Sequence, residues 1–260
     1  VLFHRVIEGF VVQGGDPDSR KREPGVLYGG NDGGYTVPAE IRSGHFNKRG
    51  ALIDAKAGDE TNPERASAGT QFCFVQGRRM TDEELDEAEK QINEIRRNWL
   101  FHLFKKRLSG RSTMVAAEEG ELESRAWRMV EDTLSLLGRY RIPEERREVY
   151  RTIGGAPHLD GSLTVFGEVV DGFDVIDRMA RVETDPSDRP VHDLVIRSTK
   201  VFQKSAVSGR FGERTAEKCR GRAAGFCLRS VSPDPLAQRQ IPADGTEGRD
   251  SRFSARADRI

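Results

Sequence analysis

The period of the apolar residues changes twice along this chain, and those changes limit the folds open to it. Residues 1–76 hold short apolar runs separated by Gly, Pro, Asn and Asp. Val11-Val12-Gln13 and residues 50–53 and 71–75 have strand length and strand composition. Residues 77–156 switch to a helical period. Thr81-Asp82-Glu83-Glu84 reads as a capping box, in which the Thr81 hydroxyl and the Glu84 carboxylate each accept an orphan backbone N–H. Apolar residues then recur at Leu85, Ala88, Ile92, Ile95, Trp99 and Leu103, and Gly110 suits the stop. A second helical pattern runs through Leu122, Ala126, Met129, Val130, Leu134 and Leu137 to Gly138. Pro143, ahead of Glu144 and Glu145, suits the first turn of a short third helix. Strand character returns over residues 157–200. Residues 163–169 read as a strand, 173–182 as a helix and 193–201 as a closing strand. This order predicts a mainly β domain interrupted by a helical insertion.

The chain is 32% charged and 36% hydrophobic, polar for a compact domain, so part of it should lie outside any core. The segment from about residue 203 fits that description. It is rich in Arg, Gly, Ser, Ala and Pro, has no apolar period, and is expected to be of low order. Its mild positive bias lacks the regular aromatic interleaving of a nucleic-acid track, so a solvated tail is preferred to RNA binding. The formal net charge is zero, which gives no global pull toward nucleic acid or an anionic membrane. No apolar run approaches the ~20 residues of a membrane-spanning helix. Cys73, Cys219 and Cys227 have no metal-site spacing; Cys219 and Cys227 could pair, but nothing requires it. Residues 29–34 (Gly-Gly-Asn-Asp-Gly-Gly) are turn chemistry and match neither glycine-rich phosphate-binding pattern. The apolar stripes of the helices read as intramolecular packing, because their polar faces mix both charges.

Three ordered blocks carry more specific information. The first is Phe3-His4-Arg5-Val6-Ile7, then Phe10, then Gln13-Gly14-Gly15-Asp16. The second comprises residues 49–58, around Ala55-Lys56-Ala57-Gly58, and Gly69-Thr70-Gln71-Phe72-Cys73-Phe74. The third is His158-Leu159-Asp160-Gly161, continuing through Leu163 to Val165-Phe166-Gly167. Together they resemble the cyclophilins, the peptidyl-prolyl cis-trans isomerases. The insertion between the second and third blocks is similar to that of a bacterial branch of the family. The resemblance covers residues 1–76 and 157–200. It implies an antiparallel β-barrel. Family members normally carry two strands and a helix before the first block, so the barrel is expected to lack them. Such a barrel should expose unpaired backbone on two strands unless the insertion or the tail covers the gap. The domain reading is 1–76 and 157–202 as barrel, 77–156 as insertion and 203–260 as tail.

The implied chemistry is modest. An amide resists rotation by ~18–20 kcal/mol because the nitrogen lone pair is conjugated with the carbonyl. Speeding X-Pro rotation ~1,000-fold needs only ~4 kcal/mol of selective stabilisation. That calls for a proline pocket, backbone anchors and one donor to the pyramidal nitrogen, with no nucleophile, metal or cofactor. The resemblance assigns Arg5 as that donor, with Phe10 and Gln13 beside it. It assigns substrate contacts to His4, Val11, Ala55, Lys56, Gln71, Phe72, Cys73, His158, Leu159 and Leu163. Several depart from the family pattern: Val11 for Met, Lys56 for Asn, Cys73 for a pocket aromatic, His158 for Trp and Leu163 for His. Val11 slightly reduces the pocket, while Cys73, much smaller than a ring, should make it wider and weaker. The expected function is isomerisation of X-Pro bonds in peptides or unfolded proteins. The alternatives are a proline-peptide binding module of weak turnover and a helical interaction protein with the barrel as scaffold. No compartment or oligomeric state is assigned, since a targeting region would precede the first block.

Overall fold

Antiparallel strands curl into a closed barrel in the computed structural model, which describes residues 1–110, 119–203, 225–230 and 251–257. The strands are β1 (Leu2–Ile7), β2 (Val11–Gly14), β3 (Thr36–Val37), β4 (Ala51–Asp54), β5 (Ser67–Ala68), β6 (Phe72–Val75), β7 (Val165–Asp171), β8 (Leu194–Gln203), β9 (Gly225–Ser230) and β10 (Ser251–Ala257). Their order around the barrel is β1-β2-β6-β4-β7-β9-β10-β8, while β3 and β5 form a separate two-stranded ribbon. The mainly β expectation therefore holds.

Strand alternation sorts the side chains into two faces. Val6, Val12, Phe74 and Leu52 sit opposite one another across β1, β2, β6 and β4. They point inward and join Phe3, Val169 and Leu228 in the barrel core. The α-helix α4 (Phe173–Ala180) adds Val175, Ile176, Met179 and Ala180 to that core. Shifted by one residue, Arg5, Gln13, Cys73, Ile53 and Val165 form a second row on the outer face. The sheet thus presents one apolar interior and one outer row of mixed character.

The insertion is helical, as its period predicts. It contains α1 (Asp82–Ser109), α2 (Glu119–Leu137) and α3 (Glu144–Thr152). The capping box forms, with Glu84 N–H donating to Thr81 Oγ1 at 3.3 Å and Thr81 N–H donating to Glu84 Oε2 at 2.9 Å. The second half of α1 packs on α2 through Leu100, Phe104, Ala126 and Val130. The first half packs through Leu85, Ala88 and Ile92 on Tyr150 of α3. Intramolecular packing accounts for most of both stripes; Met129 and Leu137 are exposed. Pro143 caps α3 instead of opening its first turn.

The tail departs from expectation. β9 pairs with β7 and β10 with β8, and the two pair with each other. Two stretches of the segment expected to be of low order thus occupy the gap expected in the barrel. The physical reason is that open edges on β7 and β8 offer a ladder of backbone hydrogen bonds, which favours a strand despite weak local pattern. Leu228 contributes apolar burial to the core. The rest of the tail, including Cys219, lies outside the described residues.

Candidate active site

The outer row places the site. Arg5 stands opposite Gln13, which stands opposite Cys73. Around Cys73 an apolar patch assembles from Val11, Ile53, Val75, Ala156 and Val165, with Phe10, Ala55, Leu159 and Leu163 packed on it. A guanidinium and an amide therefore border an apolar surface, as X-Pro recognition requires.

Each flank has a specific support. Gly9 donates its N–H to Gln76 Oε1 at 2.6 Å, and Gly77 donates to the Phe10 carbonyl at 3.0 Å. Gln76 is held in turn by Asp177, which also takes two bonds from Arg49 at 2.7 and 2.6 Å. That chain fixes the β1–β2 turn and Phe10 with it. Gly77 has φ +59°, and a Cβ there would lie 2.5 Å from Gly155 Cα, so only glycine lets these segments meet.

On the opposite side, the 3-10 turn Pro157–Leu159 carries His158 and Leu159. His158 lies against Phe10, ring centroids 5.1 Å apart. Burial holds its imidazole below the usual histidine range, which favours the neutral ring. The turn is anchored by Asp160, whose Oδ1 accepts from Asn47 N–H and Nδ2 at 2.9 Å each and from Tyr150 Oη at 2.8 Å. Burial pushes the Asp160 carboxyl up, against those donors and Arg146 nearby.

Arg5 reaches Asp188 with its Nε 3.4 Å from Oδ2, both side chains about two-fifths exposed. Val6 N–H donates to the Asp188 carbonyl, so this residue steadies the strand as well as the guanidinium. Gln13 Nε2 donates to Gln71 Oε1 at 3.1 Å, and Gln71 Nε2 donates to the Gly29 and Asn31 carbonyls.

The structure brings together Arg5, Phe10, Val11, Gln13, Ala55, Cys73, His158, Leu159 and Leu163, while the side chains of Phe72, His4, Gln71 and Lys56 face the core or are engaged by other groups. Phe72 faces the barrel core, its ring 6.1 Å from Phe3 and 5.5 Å from Phe74, because neighbours on a strand point to opposite faces. His4 is the extra residue of a bulge between Phe3 and Arg5 and is 4% exposed; a Cβ at Gly29 would lie 3.2 Å from its Nε2. Gln71 is buried, its Oε1 accepting from Gln13 and its Nε2 engaged by backbone carbonyls. Lys56 is bound to Asp59 at 2.7 Å with little exposure. Asp188, Gln76, Asp160 and Tyr150 received no role from the sequence; only Asp160 stood inside a quoted motif. The Cys73 thiol, a free cysteine, is pushed up to about 12 by burial, reinforced by Asp54, which removes the thiolate that cysteine chemistry needs.

The family description "Cyclophilin type peptidyl-prolyl cis-trans isomerase/CLD" matches residues 1–98 and 145–201. The chain belongs to the cyclophilin-type peptidyl-prolyl cis-trans isomerases. The unmatched residues 99–144 comprise the end of α1, all of α2 and the connections beside it. A protein of Staphylococcus saprophyticus named as a peptidyl-prolyl cis-trans isomerase is 29% identical over 203 residues, 78% of this chain and 73% of that protein. One of Streptococcus pyogenes, named as a bifunctional phosphatase/peptidyl-prolyl cis-trans isomerase, is 30% identical over 204 residues, 78% of this chain and 30% of that protein. This chain thus spans less than a third of that bifunctional relative. A solved cyclophilin-type isomerase of Cryptosporidium parvum aligns at 18% identity and TM-score 0.37, over 74% of this chain and 67% of that one.

Proposed function

We propose that this cyclophilin-type isomerase rotates X-Pro bonds at the outer-row cleft, with Arg5 as the donor to the twisted amide. The observation that carries this reading is the juxtaposition of the Arg5 guanidinium and Gln13 with the apolar patch of Phe10, Val11, Cys73, Leu159 and Leu163. The proline ring lies on the patch. Gln13, oriented by Gln71, anchors the flanking backbone. As the amide twists, its nitrogen pyramidalises and its lone pair becomes a hydrogen-bond acceptor, which the guanidinium meets only in that state. Val11 and Cys73 lie in the patch, and a thiol where an aromatic ring is expected leaves the proline a wider, weaker seat. Proline-containing peptides and unfolded chains are the substrates this geometry fits. The binding-module reading is not favoured, since the family match and the named relatives are isomerases. Isomerisation of a proline tetrapeptide by the parent and by Arg5→Ala tests the proposal; equal rates in the two would remove Arg5 from the mechanism.

A further inference from the structure

The insertion gives the cleft a wall that the barrel does not supply. A cavity of about 330 Å³ lies between the β1–β2 turn, the His158 turn and the N-terminal part of α1. Phe10 and His158 line it on the barrel side, and Glu84, Glu87, Ala88 and Gln91 on the helix side. Its size falls at the lower end of the ~300–1,000 Å³ of small-ligand sites.

We propose that this cavity is a second substrate subsite, which holds the residues flanking the proline and favours a cationic side chain among them. The inference rests on the isomerase reading above. The occupant follows from continuity. Phe10 belongs both to the cavity and to the apolar patch under the cleft, so the two spaces share one wall. A peptide seated on the patch that continues past Phe10 and His158 enters the cavity. The charge preference follows from the lining. Glu84 is paired with Arg78, the cation at the rim, at 2.6 Å. Glu87 pairs with Lys90 at 2.9 Å, more than half exposed on both sides, and Lys90 does not line the space. The lining itself therefore holds two carboxylates against one cation. Among the described residues no hydrogen bond engages the His158 ring, which leaves its N–H and lone pair for the peptide backbone.

The test compares Ala-Ala-Pro-Phe with the same peptide extended at either end by Ala-Lys or Ala-Glu, in low salt. Both turnover and affinity are measured, the latter by fluorescence anisotropy. In the parent, the Lys-extended peptide at one end should exceed the Glu-extended one by about fivefold, the scale of one exposed charge pair. Glu87→Lys should invert that preference, and Gln91→Trp, which fills the space, should bring every extended peptide to the level of the short one. Turnover of the short peptide with identical ratios in parent and variants would overturn the subsite and leave the isomerase reading intact. Preferential binding of the Lys-extended peptide without turnover would uphold the subsite and overturn the isomerase reading.

Discussion

Arg5→Ala separates two roles that one side chain could play. As a structural group, Arg5 makes an ion pair with Asp188 at 3.4 Å, the side chains 41% and 42% exposed. Water screens such a pair, and its removal should cost about 0–1 kcal/mol of stability. As a catalytic donor, it should matter far more. Loss of one preorganised donor to a developing lone pair or oxyanion costs roughly 100- to 1,000-fold in turnover, ~2.7–4 kcal/mol. The two magnitudes do not overlap, so paired measurements decide. Urea midpoints should be nearly unchanged in Arg5→Ala, while kcat/KM on a proline tetrapeptide falls by about two to three orders of magnitude. Peptide affinity should fall less, because the planar ground-state amide offers its nitrogen poorly to a donor. Arg5→Lys should recover part of the loss, as a point charge without the guanidinium's planar fork. The reasoning is refuted if kcat/KM falls only in proportion to affinity, or if the stability loss alone accounts for the missing activity.

Four further outcomes follow from the same geometry. Tyr150→Phe removes a buried hydrogen bond to the Asp160 carboxylate at 2.8 Å, so the folded state should lose about 1.5–3 kcal/mol in chemical denaturation; a neutral result would show that Asn47 alone anchors the turn. Cys73 should resist iodoacetamide in the native protein at neutral pH and react only on unfolding, as read by peptide mapping; rapid native labelling would contradict its burial. Burial holds the His4 and His158 imidazoles below the usual range, so the unfolded chain takes up protons first and stability falls as pH drops below about 6.5. Buried Asp54 and Asp160, pushed up, act in the opposite sense, so the difference between parent and His4→Leu is the readout: the variant should lose less stability on acidification, and parallel curves would acquit His4. A chain of residues 1–203 should unfold at lower temperature and associate with concentration, because β7 and β8 regain open edges; an unaltered monomer would show that β9 and β10 add nothing to closure.

What was legible in the sequence was what local chemistry decides. The capping box needs only Thr81 and Glu84, three residues apart, and it forms. The outer row was legible through its motifs, which carry Arg5, Gln13 and Cys73 on the paired strands β1, β2 and β6. Phe72 and Cys73 both read as contacts, yet adjacent strand residues face opposite sides, and the Phe72 ring packs on the barrel core while Cys73 joins the outer patch. His4 escaped for another reason. The bulge at that point breaks simple alternation, and a bulge leaves little trace in composition. The strands β9 and β10 were illegible because their stability comes from edges formed elsewhere in the chain, not from their own pattern. Asp188 acts on Arg5 from far along the chain, and Tyr150, within α3, acts on Asp160 ten residues later.

These long-range contacts also explain what the insertion does for the cleft. Arg65 bonds Asp59 twice, at 3.1 and 2.6 Å, and its Nη1 donates to the Gly161 carbonyl at 2.6 Å. One guanidinium therefore ties the loop after β4 to the loop that carries Leu159 and Leu163. That guanidinium lies 4.4 Å from the ring centroid of Trp99, whose indole N–H is fixed on the Pro63 carbonyl. Trp99 belongs to the stretch of α1 outside the family match. A single donor such as Arg5 is effective only if the proline is seated within a few tenths of an ångström of the productive pose. With small residues at Val11 and Cys73 in the patch, the walls must supply that constraint. Trp99 on one side and Tyr150 on the other hold those walls, so the helices act as the frame of the cleft.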